Sequence, residues 1–279
     1  MSATEMKIDL PATGADPEAD TYRASRRRRM WRARALPALG IVALVFAWWA
    51  IVAGFHIKPF IAPSPGLVLQ TLFDKRDVLL QNLMPTAAEA VGGFLLGNLL
   101  AILLATVFIH NRTLQDIFYP VAVMINSIPV VAKAPILVLI MGNGIAPKIT
   151  IAAIVCFFPT LVNMVRGLEA VNPQSLELMQ VLSASKREIF FKLRLLNSLP
   201  YLFSALRIAA SMSVIGAVVG EWIGATEGIG AMIIQATYAF DSALLYAAIL
   251  MSAALSGTFF LVIATLERRI ITWQPASAH

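Results

Sequence analysis

Apolar runs of about twenty residues alternate with short polar breaks along most of this chain. The runs lie near residues 35–55, 86–108, 118–141, 146–165, 199–220 and 243–266. A helix of roughly 20 residues crosses a bilayer core of about 30 Å, so each run is long enough to span. The pattern predicts an all-α membrane protein with about six transmembrane helices, because in lipid each segment must satisfy its own backbone. Two pieces depart from it. Residues 56–85 carry Pro59, Pro63 and Pro65, with Leu67, Leu69, Leu72, Leu79, Leu80 and Leu83 able to bury one side, which predicts an interfacial helix. Residues 221–242, with Gly224, Gly228 and Gly230, predict a short re-entrant or interfacial piece. Pro129 and Pro135 should break or kink the third run.

The longest polar break runs from Asn172 to Pro200. Asn172-Pro173 is a helix start, with Asn as cap and Pro in the first position. Leu176, Met179, Val181 and Leu182 give that helix an apolar side. Ser183-Ala184-Ser185 interrupts it, and Ser185 with Glu188 forms a capping box that starts a second helix. Ile189, Phe190, Leu193 and Leu196 or Asn197 line one side of this second helix at helical spacing. The pattern fits a rigid knob that touches a soluble partner. It also fits an amphipathic hairpin resting on anionic lipid.

Composition agrees with the membrane assignment: 58% of the 279 residues are hydrophobic, 14% are charged and mean hydropathy is +0.76. A soluble domain would hold about 25% charged residues. The net charge of +6 is concentrated in the N-terminal tail and the 166–194 region, a pattern of membrane topology rather than nucleic-acid binding. Residues 1–34 are polar, end in an arginine cluster and read as a disordered basic cytoplasmic tail. Placing both termini in the cytoplasm puts Arg112, Arg166, Lys186, Arg187, Lys192, Arg194, Arg268 and Arg269 on the inner side. Lys58, Lys75, Arg76 and Lys148 then fall outside, and the polar loop is cytoplasmic. The membrane-spanning domain covers 35–273, with its polar loop at 168–198, and 274–279 form a C-terminal tail.

Several motifs carry a family resemblance. The loop resembles the Glu-Ala-Ala-x-x-x-Gly coupling loop of permease subunits of ATP-binding-cassette importers. Glu177 stands at the Glu, Leu178 and Met179 replace the two Ala, and Ser183 replaces the Gly. Leu195-Leu196 stands where a first Leu-Pro is usual, and Leu199-Pro200 keeps the second. Ala62-Pro-Ser-Pro65, Ile128-Pro129, Phe158-Pro159, Leu206-Arg-Ile-Ala209, Ile215 to Glu221 and Leu266-Glu-Arg-Arg269 extend the resemblance over roughly residues 40–273. It is a resemblance to the branch that serves nitrate, sulfonate, taurine and bicarbonate importers and importers of thiamine or riboflavin precursors. Gly216 to Ala225 lean toward the precursor importers.

The resemblance implies a type I importer permease (MetI-like) fold in a bacterial inner membrane. It also implies a second copy of the chain, two cytoplasmic ATPase subunits and an extracytoplasmic substrate-binding protein as partners. Glu177, Met179, Leu182, Ser183, Ala184, Ser185, Arg187 and Phe190 would couple to the ATPase. The chain would hold no cofactor, with ATP and Mg used by the partner. It has no Gly-x-x-x-x-Gly-Lys-[Ser/Thr] run with which to bind nucleotide itself. Asn126, Ser127, Pro129, Lys133 and Glu221 are candidate pathway residues. Lys133 suits an anion path, a snorkelling position or a carboxylate partner alike. Glu89 and Glu221 are expected to pair, to gate or to contact the binding protein. No catalytic set or metal-spaced cluster stands out, and Cys156 reads as a packed small hydrophobe. An ion-coupled secondary transporter is the competing class, but it would need buried relays and repeated halves.

Overall fold

The computed structural model describes residues 17–273. Residues 1–16 of the expected basic tail and the expected C-terminal tail at 274–279 lie outside the described residues. Two units are distinct, one reaching Ile57 and one starting at Lys58. The first contains helix α1 (Pro17–Gly54), which begins inside the stretch read as tail. Its apolar part is Ala38–Gly54, the place of the first expected span.

The second unit begins with α2 (Pro65–Asp74), started by Ser64, whose hydroxyl accepts the Leu67 N–H at 3.3 Å, and by Pro65 in the first turn. Only Lys75 separates α2 from α3 (Arg76–His110). The expected interfacial segment 56–85 is therefore divided. Residues 65–74 form a separate helix, while 76–85 are the first turns of a span. Val68 and Leu79 are buried, whereas Leu69 and Leu80, expected on the buried side, are exposed.

The third expected span, 118–141, is not one helix. It consists of α4 (Arg112–Ser127) and α5 (Val130–Met141), bent by 99°. Pro129 has no N–H to continue α4 and drives Ile128 into extended backbone, with φ −72° and ψ 127°. Pro135, by contrast, lies within α5 without ending it. Helices α6 (Ile145–Glu169), α7 (Pro173–Val181) and α8 (Lys186–Glu221) follow, then α9 (Ile229–Tyr238) and α10 (Ser242–Ile270). Among the described residues α3, α6, α8 and α10 are long and apolar enough to cross a membrane, and the bent α4–α5 pair makes a fifth candidate. With Ala38–Gly54 these occupy the six expected positions.

Helices α3, α6 and α8 form the centre. Lipid is as apolar as leucine, so close packing of small residues, not water exclusion, brings such helices together. Gly93 and Gly97 of α3 meet Ala152 and Ala153 of α6, and Gly216 of α8 meets Ala152 from another side. A Cβ added at any of these glycines would come within 3.0 Å of its neighbour, closer than real Cβ atoms approach. Most polar groups inside the bundle are paired, the buried Glu89 Oε2 being an exception among the described residues. Thr160 donates its hydroxyl to Asn98 Oδ1 at 2.5 Å, and Asn98 Nδ2 donates to the Phe94 carbonyl at 2.6 Å. The buried Cys156 thiol donates to the Ala209 carbonyl at 3.2 Å, in keeping with a packing role. Helix α10 joins α8 through Arg207 and Glu267, 3.2 Å apart, and meets α3 where Phe259 lies 5.2 Å from Phe94.

Candidate functional site

The polar loop folds into the predicted knob. Asn172 Oδ1 accepts the Gln174 N–H at 2.9 Å, and Pro173 opens α7. At its other end Ser183 N–H donates to the Gln180 carbonyl and Ala184 N–H to the Met179 carbonyl, each at 2.9 Å. This is a Schellman stop, which requires a left-handed residue, and Ser183 supplies it with φ 55°. Glycine would adopt that conformation without the Cβ penalty of about 1 kcal/mol. Ser183→Gly should therefore raise the thermal unfolding midpoint of the purified protein, and Ser183→Val should lower it.

The capping box at Ser185 and Glu188 is complete in both directions. The helix it starts does not end at the expected break before the 199–220 run, however. It runs through a π-helical stretch, Ile189–Arg194, and continues unbroken past Pro200 to Glu221. The wider π turn places Phe190 in the core with Phe108, Met164 and Leu168, its ring 5.0 Å from that of His110. Arg194 donates to the Leu168 carbonyl at 2.8 Å and Asn197 to the Ala170 carbonyl at 3.0 Å. These side chains satisfy carbonyls left open at the end of α6. The knob is thus fixed to both α6 and α8.

Its outer face is different. Leu178, Val181 and Leu182 are 60%, 81% and 67% exposed, an apolar group on a short polar element. Glu177 is exposed beside them and makes no ion pair among the described residues. Ser185 is exposed while Met179 and Ala184 are half-buried, and Arg187 stacks 5.8 Å over the Phe191 ring. Of the eight residues expected to couple, Phe190 alone is fully buried and anchors the knob rather than facing outward.

At the other end of α8 lies a buried polar node that the sequence only half revealed. Glu89 and Glu221 are each 1% exposed and lie close enough to interact. Lys148 of α6 meets Glu89 Oε1 at 3.0 Å. Thr86 donates its hydroxyl to Glu221 Oε1 at 2.6 Å and accepts the Ile229 N–H at 2.8 Å. Asn82 Oδ1 accepts the Gly228 N–H at 2.9 Å, and Glu221 Oε2 accepts the Gly230 N–H. Glu89 and Glu221 thus share one buried node, Glu89 held by Lys148 and Glu221 by Thr86 and Gly230. Thr86, Asn82 and Lys148 were missed. A lone Thr or Asn has no sequence signature, and in the sequence Lys148 stands out only as one of the outer positive charges.

The other pathway candidates are dispersed. Asn126 borders an apolar cavity of about 450 Å³ between α3, α4 and α6, with Phe118, Phe157 and Phe158 in its wall. Ser127 bonds its own helix through the Val123 carbonyl at 2.9 Å. Pro129 sits at the α4–α5 break, and Lys133 is half-buried on α5 with no ion pair among the described residues. No group of three or more His, Cys, Asp or Glu among the described residues could hold a metal.

Residues 97–272 match the family described as the binding-protein-dependent transport system inner membrane component. The chain is 36% identical over 239 residues to a probable ABC transporter permease protein of Haemophilus influenzae, covering 85% of this chain and 98% of that one. It is 35% identical to the formylaminopyrimidine transport permease protein ThiX of Halalkalibacterium halodurans, over 81% of this chain and 91% of the relative. It is 31% identical to the riboflavin transport system permease protein RibX of Chloroflexus aurantiacus, over 96% and 99% of the two chains.

Proposed function

This chain belongs to the family of binding-protein-dependent transport inner membrane components and is an ABC importer permease subunit, and from that premise we propose how it couples and what it carries. The α7 knob is the seat of a cytoplasmic ATPase subunit. The observation that carries this reading is the union of an exposed apolar face, Leu178, Val181 and Leu182, with a rigid connection to the bundle through Phe190, Arg194 and Asn197. A push on that face reaches α6 and α8 directly. Rigid-body motion of packed helices is the established way such a local displacement becomes a global switch.

The chain acts as a transport subunit, and hydrolysis of ATP with Mg belongs to the partner. Two copies, two ATPase subunits and an extracytoplasmic binding protein complete the importer. Both termini and the knob face the cytoplasm, supported by Lys186, Arg187, Lys192, Arg194, Arg268 and Arg269 at that end. The solute is a flat nitrogen heterocycle of the vitamin-precursor kind, supported by the names of the pyrimidine and riboflavin relatives. A sulfonate-like or nitrate-like anion is the second reading, supported by Lys133 and by the more distant relatives named for aliphatic sulfonates and taurine, which are 25% and 24% identical.

The experiment is uptake by the purified complex in liposomes with ATP inside and binding protein outside. Accumulation of a labelled formylaminopyrimidine or riboflavin, competed by neither taurine nor nitrate, is the expected result. Accumulation of taurine or nitrate instead would overturn the substrate assignment. A tagged chain that brings down no ATPase would overturn the coupling assignment.

A further inference from the structure

The node at Glu221 is more than a buried charge pair. The first N–H groups of a helix have no partner within the helix, and inside a membrane each must find one elsewhere. Here the N–H groups of Gly228, Ile229 and Gly230, at the start of α9, are taken by Asn82, Thr86 and Glu221. Two of these acceptors belong to α3, some 140 residues away in sequence: 146 for Asn82 to Gly228 and 143 for Thr86 to Ile229. The third is a carboxylate at the positive end of the helix dipole. Gly228 has φ +111°, and a Cβ on Gly228 or Gly230 would overlap Glu221 or the Val218 carbonyl, so the turn is shaped around this carboxylate. Lys148 reaches the same site from α6 by way of Glu89. Asn143, just before α6, holds the turn by donating to the Gly224 carbonyl at 2.6 Å.

We propose that Asn82, Thr86 and Glu221 form a cap in trans that makes α9 a fixed part of the α3–α6–α8 body. Through it the outer end of the permease follows the stroke delivered at the knob. The residues are positioning residues: they act by holding α9. The inference rests on the permease reading but not on the solute. Helix α8 links the two ends, since its residues between Arg194 and Glu221 span about 40 Å at 1.5 Å each. With the cap intact, α9 moves when α8 moves. With the cap broken, α9 opens on its own, and a stroke at the knob no longer sets the outer end.

The test compares Thr86→Val, Thr86→Ser and Asn82→Ala in the assembled importer in liposomes. Thr86→Val keeps the shape of the side chain but removes both the donor to Glu221 and the acceptor for Ile229. Asn82 is half-buried, so Asn82→Ala probes the same cap with less demand on folding. Two quantities are read: amide hydrogen exchange across 226–240 and 186–200, and ATP hydrolysed per solute transported. Thr86→Val should speed exchange at the start of α9 about tenfold, the scale of losing the one bond, from the Ile229 N–H, that ties α9 directly to Thr86. Exchange at 186–200 should stay unchanged, and the ATP consumed per solute should rise several-fold. Asn82→Ala should do the same to a smaller extent, and Thr86→Ser should restore both values. Faster exchange at α9 with an unchanged ATP-to-solute ratio would overturn the coupling role. Unchanged exchange in both Thr86→Val and Asn82→Ala would overturn the cap itself. Failure to bring down an ATPase would strike the coupling reading of the knob instead, a separate outcome seen before either measurement.

Discussion

Gly97→Val should leave almost no assembled protein in the membrane, although it only adds three carbons to an apolar helix. The added Cβ would fall on the Ala153 carbonyl, a backbone atom that cannot rotate away. Overpacking of a tight interior typically costs about 1–3 kcal/mol, and here the two spans would have to separate. Helix propensity runs the other way, favouring a non-glycine residue by up to about 1 kcal/mol, and is too small to compensate. The neighbouring turn is equally closed, since a Cβ on Gly93 would overlap Ala152. In lipid no water-driven force restores the contact once the small-residue fit is lost. Gly257 on α10 is the control, because a side chain there meets nothing within 4 Å. Gly257→Val should be recovered from membranes at the normal level, and Gly97→Val at less than about a tenth of it, in immunoblots of membrane fractions and in size-exclusion profiles. Equal recovery of the two would show that the α3–α6 seam is not what holds the bundle.

The two ends of the molecule differ in how far the sequence foretold them. The knob was legible because its signals are local. Asn172-Pro173 and Ser185 with Glu188 lie within a few residues of the bonds they make, and both caps form as expected. The break at Pro129 was legible for the same reason. The continuity of α8 was not, since a π stretch leaves no mark in hydrophobic spacing and Pro200 argued for a boundary. The node around Glu221 was partly legible. A glutamate in an apolar run announces itself, and so do the glycines of the following turn. Asn82 and Thr86 do not, because their partners are about 140 residues away and nothing in the local sequence points to them. The glycine seam lies between these cases. Gly93 with Gly97, and Gly216 with Gly220, have the four-residue spacing of close helix contacts, a signal carried by the sequence itself.

The second large effect concerns the exposed face of the knob. The double variant Val181→Asp with Leu182→Asp should lose nearly all uptake while reaching the membrane in normal amount. Both side chains are more than half exposed, so the substitution removes little internal packing. At an interface the same change is severe, because it sets two carboxylates against a surface that matched an apolar group. Burying a Val or Leu side chain is worth about 1.5 kcal/mol or more, and 1.4 kcal/mol is tenfold in affinity. Loss of binding by about a hundredfold or more is the expected scale for the pair. The ATPase should then fail to co-purify with the tagged permease, and its hydrolysis should no longer respond to the binding protein. Phe190→Ala separates docking from transmission, since Phe190 lies inside the core rather than on the face. That variant should still bring down the ATPase, but with hydrolysis poorly linked to uptake. A hairpin that merely rests on lipid would behave differently: the double aspartate would weaken contact with anionic vesicles and leave ATPase co-purification intact. Intact co-purification would therefore move the docking site off α7.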